Sequence, residues 1–233
     1  MTGTGSRRQS VFMTGGTGYL GTPLIQRLLE GGHEVRALVR PSSQGKVPAG
    51  CTPVIGDALD GRSYETQVAP AKTFVQLVGV SHPSPAKAAQ FRDIDLVSAR
   101  CAIAAAKSAG VSHFVYVSVA QPAPVMKAYV TVRAGCETMI RASGMNASIL
   151  RPWYVLGPGH RWPYALRPIY RLMELLPATR SGARRLGLVT LEQMVAALLH
   201  VIEHPLDGVR VVEVPEIRAA QGLSAKPPIS GAA

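Results

Sequence analysis

The chain has 233 residues, 47% of them apolar and 17% charged. At roughly 100–200 residues per domain this reads as one domain with a small appended lobe, and its apolar content excludes wholesale disorder. Lys and Arg outnumber Asp and Glu by 25 to 14, a formal charge of +11, so nucleic acid, anionic membrane and phosphorylated small molecules are the first partners to consider.

Residues 1–9 are polar and read as a disordered start; the apolar run that follows, Val11 to Met13, is too short for a signal-peptide core. No apolar stretch reaches the ~18 residues of a membrane span, so a soluble, cytoplasmic protein is expected. Short β-rich runs follow at Val11–Thr14, Glu34–Val39, Thr52–Ile55, Thr73–Val78, His113–Ser118 and Ala147–Leu150. Between them the spacing turns helical. Leu20, Leu24, Ile25, Leu28 and Leu29 share one face before Gly31-Gly32. An Ala-rich helix is predicted over Ala86–Ala109 and another over Met126–Ser143, each followed by a glycine. Alternating strands and helices predict a doubly wound parallel α/β sheet covered on both faces.

Past Pro152 the alternation stops. Residues 157–185 carry six arginines against one acid, with a helix expected within Tyr164–Leu176. A helix over Thr190–Glu203 opens on Thr190 and Gln193, spaced as a capping box. A strand at Val209–Val214 precedes a tail, 218–233, expected to be flexible. The organisation predicted is a core over 10–152 and a lobe over 153–217 packed on it. Cys51, Cys101 and Cys136 lie far apart in no metal-ligand spacing; free thiols and no metal site are expected.

The strongest signal is T-G-G-T-G-Y-L-G, Thr14 to Gly21, placed between the first strand and the first helix. Gly15 suits a tight turn, Gly18 lets backbone approach a pyrophosphate, and Gly21 allows close helix packing. The helix N-terminus offers free N–H groups and partial positive charge to phosphates. This segment, with L-V-R at 38–40, G-D-A-L-D at 56–60, L-V-G at 77–79, S-H-F-V-Y-V-S at 112–118, Tyr129 to Arg133 and I-L-R-P at 149–152, resembles the short-chain dehydrogenase/reductase superfamily. The resemblance is to its extended and atypical branches, the epimerase/dehydratase-like and NmrA-like NAD(P)-binding proteins, and runs from about Ser10 to Val214.

That resemblance implies a Rossmann-like fold, a dinucleotide cofactor and a set of contacts. Gly15, Thr17, Gly18, Tyr19, Leu20 and Gly21 would hold the pyrophosphate. Asp57, with Ala58, would meet the adenine, and Leu77, Val78 and Gly79 would pass beneath the ribose. Pro152, Trp153 and Tyr154 would run past the nicotinamide. The residues themselves bear on cofactor choice. An acid at the end of the second strand would favour NAD(H), but the chain has Arg40 there, nineteen residues after Gly21, and no acid between Glu34 and Asp57. A guanidinium suits a 2′-phosphate, so NADP(H) is preferred and NAD(H) is the alternative. The plainer readings are a solvated strand-end cation for Arg40 and a helix cap for Asp57.

Enzymes of the resembling family use a Tyr and, four residues on, a Lys that lowers the tyrosine pKa and holds the nicotinamide ribose. Here the pair is Tyr129 and Arg133, so charge survives in a larger, planar group. Arg133 and Glu137 are also spaced for a simple i,i+4 ion pair. The family's oxygen-polarising Ser or Thr aligns with Val119, leaving Ser118 one residue early as the substitute. His160, Arg161, Trp162 and Tyr164 join aromatic faces to cationic donors and are the expected substrate contacts; a packed lid is the plainer reading.

The expectation is an NADP(H)-binding oxidoreductase or epimerase/dehydratase-like enzyme acting on a small carbonyl, quinone or nucleotide-sugar-like substrate, as monomer or homodimer. Tyr129, Arg133 and Ser118 would be catalytic. The rival is a non-catalytic NADP(H)-sensing regulator or assembly protein. Nucleic-acid binding rests on charge alone, with no motif behind it.

Overall fold

The computed structural model of the chain describes residues 8–157 and 186–223. Seven parallel strands form the main sheet: β1 (Ser10–Thr14), β2 (Glu34–Val39), β3 (Thr52–Ile55), β4 (Thr73–Gln76), β5 (His113–Val117), β6 (Asn146–Arg151) and, after a small pair of strands β7 (Tyr154–Leu156) and β8 (Leu188–Thr190), β9 (Val209–Glu213). Their order, β3-β2-β1-β4-β5-β6-β9, reverses direction between β1 and β4. That reversal is the topological switch point, where open α/β sheets bind ligands beyond the strands' carboxyl ends.

Period-two alternation divides the core. Val11 and Met13 of β1 face α1 (Gly21–Glu30) and two C-terminal helices, α5 (Leu191–Glu203) and α6 (Val214–Leu223). Phe12 faces the other way, with α3 (Val97–Ser108) and α4 (Lys127–Ala142). Register places Phe12 beside Phe74 and Phe74 beside Phe114, and their ring centroids lie 5.2 and 5.4 Å apart across β1, β4 and β5. The small Ala99, Ala102, Ala105 and Ala106 let α3 come down onto these aromatic rings.

Four details depart from the sequence reading. β4 stops at Gln76 rather than Val78: the Leu77 N–H still reaches the Thr14 carbonyl of β1 at 3.2 Å, and the chain then leaves the sheet. The single helix expected over Ala86–Ala109 is a 3₁₀ turn (Pro85–Lys87), α2 (Ala88–Gln90), a π-helical segment (Phe91–Leu96) and α3, with Phe91 and Asp95 buried. The residues after 152 do not form only an appended lobe: β9 pairs with β6, and α5 and α6 complete a helical layer of the main sheet. Finally, the tail expected to be flexible from 218 is helical through Leu223, tied by Arg218 Nε to the Leu188 carbonyl at 2.9 Å.

Other local readings hold. The Thr190–Gln193 capping box is formed, each side chain accepting from the other's backbone N–H at 3.1 and 2.9 Å. Cys51, Cys101 and Cys136 are free thiols.

Candidate active site at the switch point

The glycine loop joins β1 to α1 beside β4. Gly15 has φ +75°, and a side chain there would press on the Leu77 carbonyl carbon and Val78 nitrogen at 3.0 and 3.1 Å. A carbon added to Gly21 would overlap the Gly15 carbonyl oxygen, so the helix sits directly against its own entry loop. Thr17 and Gly18 are exposed, and Tyr19 and Leu20 are half-buried. The loop is fixed internally by Gly18 N–H to the Gly15 carbonyl (3.0 Å) and Thr22 N–H to the Gly18 carbonyl (3.1 Å).

No side chain caps α1, and its first turn holds no acid. A helix start leaves several N–H groups without intrahelical acceptors and carries partial positive charge, so an anionic group fits here. Tyr19 adds a feature that the loop's spacing does not reveal. Its hydroxyl packs against Gly157, where a side-chain carbon would overlap it, pinning the loop to the end of β7.

Arg40 and Asp57 stand at the ends of neighbouring strands, since Val39 of β2 pairs with Ile55 of β3. Arg40 is exposed, and its side chain has no partner among the described residues. Asp57 is also exposed; its Oδ1 accepts the Leu59 N–H at 2.9 Å. The 3₁₀ cap belongs to Asp60, which accepts from Arg62 N–H at 3.2 Å. Ala58 packs at the margin of the core.

On the other side of the switch point, α4 brings Tyr129 and Arg133 to the ends of β4 and β5. Tyr129 is half-buried, its ring 4.9 Å from that of Phe91. The Arg133 guanidinium carbon lies 5.1 Å from the Tyr129 ring centroid and 5.6 Å from that of Tyr116, within cation–π range. Nη1 donates to the Tyr116 hydroxyl (3.1 Å) and the Val117 carbonyl (2.8 Å), and Nη2 pairs with Asp95 Oδ1 at 2.6 Å.

Asp95 was not singled out from the sequence. It lies four residues after Phe91 on the buried side of the π segment, an acid at a core-facing position. Its Oδ2 accepts the Val80 N–H at 3.0 Å. Burial pushes the Asp95 carboxyl above its usual range, while Arg133 and the Val80 N–H pull it back. Burial also works against the Arg133 charge, but Tyr116, Tyr129 and Asp95 outweigh it. A 2.6 Å contact with a group that stays protonated decides for the ion pair.

The i,i+4 pair expected between Arg133 and Glu137 does not form. Each has a partner from elsewhere, the buried Asp95 for Arg133 and the half-buried Arg151 for Glu137. Glu137 accepts from Ser118 Oγ and Gln121 Nε2, both at 2.6 Å, and from Arg151 Nε and Nη2 at 2.9 and 2.5 Å. Arg151 also reaches Glu213 at 3.0 Å. The Ser118 hydroxyl is therefore directed into α4, away from the role of free oxygen ligand, and Val119 beside it is buried. Pro152 accepts the Ala120 N–H at 2.9 Å, while Trp153 and Tyr154 meet edge to face at 5.6 Å. His160, Arg161, Trp162 and Tyr164 lie outside the described residues.

Residues 15–161 match a family described as NAD(P)H-binding. Over 213 residues the chain is 27% identical to a ceramide reductase of Caulobacter vibrioides, covering 91% of this chain and 66% of that protein. Over 112 residues it is 31% identical to a 3-beta-hydroxysteroid dehydrogenase of Mycolicibacterium neoaurum, covering 46% of this chain and 31% of that one. Among solved structures it resembles the Bordetella bronchiseptica enzyme WbmH in complex with NAD+, with a TM-score of 0.66 and 19% identity over 95% of this chain and 84% of the other. The chain thus spans just under two thirds of the reductase and about a third of the steroid dehydrogenase. No helix among the described residues is long and apolar enough to cross a membrane.

Proposed function

Because the chain belongs to the NAD(P)H-binding family and has the fold of extended short-chain dehydrogenases/reductases, we propose that it is an NADP(H)-preferring oxidoreductase with Tyr129 as its proton donor and acceptor. The observation that carries this reading is the stack of Tyr129 on Arg133 at the β4–β5 end of the crevice whose β1 edge is the glycine loop.

Gly15, Thr17, Gly18, Tyr19, Leu20 and Gly21 would hold the pyrophosphate by backbone N–H groups. Asp57 and Ala58 would receive the adenine, and Leu77 to Gly79 would underlie the second ribose. Arg40, exposed and without a side-chain partner among the described residues, would take a 2′-phosphate, which supports NADP(H) over NAD(H). When bound, the nicotinamide supplies or accepts the hydride. Tyr129 gives a proton to the substrate oxygen as a carbonyl becomes an alcohol, or takes it back in the reverse direction. Arg133 supports Tyr129 by packing against its ring and holding it in place, and Ser118 serves by orienting Glu137 and Arg151. Pro152, Trp153 and Tyr154 border the nicotinamide side, and His160, Arg161, Trp162 and Tyr164 are proposed substrate contacts.

Two of the curated relatives are named for a ceramide and a steroid, which supports a carbonyl or secondary alcohol on a largely apolar molecule as substrate. Three free thiols support a cytoplasmic, reducing setting. One specific observation favours the rival, an NADP(H) sensor without turnover: the two groups expected to work with Tyr129, Arg133 and Ser118, are both engaged inward. Tyr129→Phe separates the two. The enzyme reading expects carbonyl reduction with NADPH to fall by ~100-fold or more while nucleotide affinity is kept, the range of general acid catalysis. Undiminished turnover in that variant removes the assignment of Tyr129.

A further inference from the structure

Among the described ion pairs, Arg133–Asp95 alone has both side chains less than a tenth exposed, at 8% and 0%. Neither charge is screened by water, so the pair acts on its surroundings as a nearly neutral unit, whereas either member alone would act as a full charge. Its place in the fold gives this importance. Arg133 Nη2 fills the space where a Gly79 side chain would stand, with Asp95 Oδ1 only 3.1 Å from the same point. Gly79 directly follows Leu77 and Val78, which abut Gly15 of the phosphate loop.

The pair therefore lies beneath the crevice on its β4–β5 side, across from Arg40 and Asp57 at the ends of β2 and β3. A dinucleotide laid across the switch point with its adenosine over β2–β3 places its nicotinamide half on this opposite side. The oxidised nicotinamide ring is cationic and the reduced ring is neutral. A bare guanidinium below would disfavour the oxidised form alone.

We infer that Asp95 is a charge-balancing and positioning residue: by neutralising Arg133 and holding it against Gly79, it sets the relative affinity for oxidised and reduced dinucleotide. The inference rests on the proposed NADP(H) reading. A cation of the same size without the carboxylate would give a site biased toward the reduced form. The π-helical turn that carries Asp95 is the local device that brings an acid from the α2–α3 run to α4 and the loop after β4. Buffering of this charge is a property that only a binding ratio reports; a purely structural role would weaken both forms together.

The test is titration of NADPH by its fluorescence and of NADP+ by competition, in wild type, Asp95→Asn, and Asp95→Asn with Arg133→Gln. Wild type is expected to bind the two forms within about threefold of each other. Asp95→Asn should weaken NADP+ relative to NADPH by roughly fivefold or more, as an uncompensated unit charge requires. Removing both charges should bring the ratio back to within about twofold of wild type. An unmoved ratio in Asp95→Asn, or no return in the double variant, overturns the inference. If Asp95→Asn does not fold, the wild-type ratio decides: a preference for NADPH beyond about tenfold overturns it. Binding of neither form by wild type brings down the nucleotide reading itself, whereas normal binding with an unmoved ratio removes only the role of Asp95.

Discussion

The proposed choice of cofactor rests on Arg40, the first residue past β2, whose guanidinium nothing in the described chain occupies. Arg40→Asp exchanges a phosphate partner for an acceptor suited to a ribose 2′-OH. The ratio of NADPH to NADH affinity should fall by about tenfold or more, read by titration; an unchanged ratio would show that Arg40 is only a solvated cation. At this scale the sequence was a good guide to glycines and a poor one to charges. Gly15 and Gly21 follow from local rules, since turn and close packing involve neighbours within a few residues. Asp95 and Arg133 are separated by two elements, and no spacing rule links them. The i,i+4 rule failed at Arg133 and Glu137 for a physical reason. It describes solvated helix faces, and both residues lie on the buried face of α4, where other elements supply partners.

α4 is fixed to the sheet by charge as well as by its buried apolar residues Cys136 and Ile140. Glu137 gathers Ser118 after β5, Gln121 in the following loop and Arg151 at the end of β6, so one carboxylate aligns three segments with the helix. Glu137→Ala leaves the Arg151 cation and the Ser118 hydroxyl without that acceptor. Arg151 keeps Glu213 and part of its exposure, so the loss should fall short of the ~3–5 kcal/mol of a fully buried pair, at about 2–3 kcal/mol, and appear as a lower urea midpoint with little change in slope. A loss below about 1 kcal/mol would mean that Glu213 alone suffices for Arg151. Element existence was legible wherever the apolar period was clean, as in β2 and β3, whose bounds match the reading residue for residue. The π-helical turn was not, because nothing in the residue types of Phe91–Leu96 separates i→i+5 from i→i+4 hydrogen bonding. α6 was also missed: Val214-Pro215 reads as a break, although proline is well tolerated in a helix's first turn.

For the whole molecule, the parallel sheet covered on both faces was predictable from alternating periods and the switch point from the family resemblance alone, and the seventh strand was foreseen as an element but not as part of the main sheet. The formal charge of +11 is not held in the interior, since Arg133 and Arg151 are each balanced by a buried acid and the excess belongs to the remaining residues. Acid sensitivity has a separate source at the other end of the sheet. His113, wholly buried at the start of β5 with Nε2 3.0 Å from Ser148 Oγ, has its pKa lowered from 6.5 to about 4 by burial and by Arg210. The unfolded chain takes up that proton near pH 6.5 and the folded chain does not. This contribution to stability is therefore intact above pH 6.5 and shrinks as pH falls toward 4. Between pH 7 and 4.5 it amounts to about 2–3 kcal/mol, and His113→Gln should lose that part of the pH dependence in urea unfolding. A variant that retains the wild-type slope would place the acid sensitivity elsewhere.

The account stands on a dinucleotide seated between the glycine loop and the β4–β5 ends, and thermal unfolding with added nucleotide tests that directly. NADPH at about a hundred times its dissociation constant should stabilise the fold by ~2.7 kcal/mol, with NADH giving a smaller shift at the same concentration. A melting temperature unmoved by NADP(H) and NAD(H) alike would contradict it.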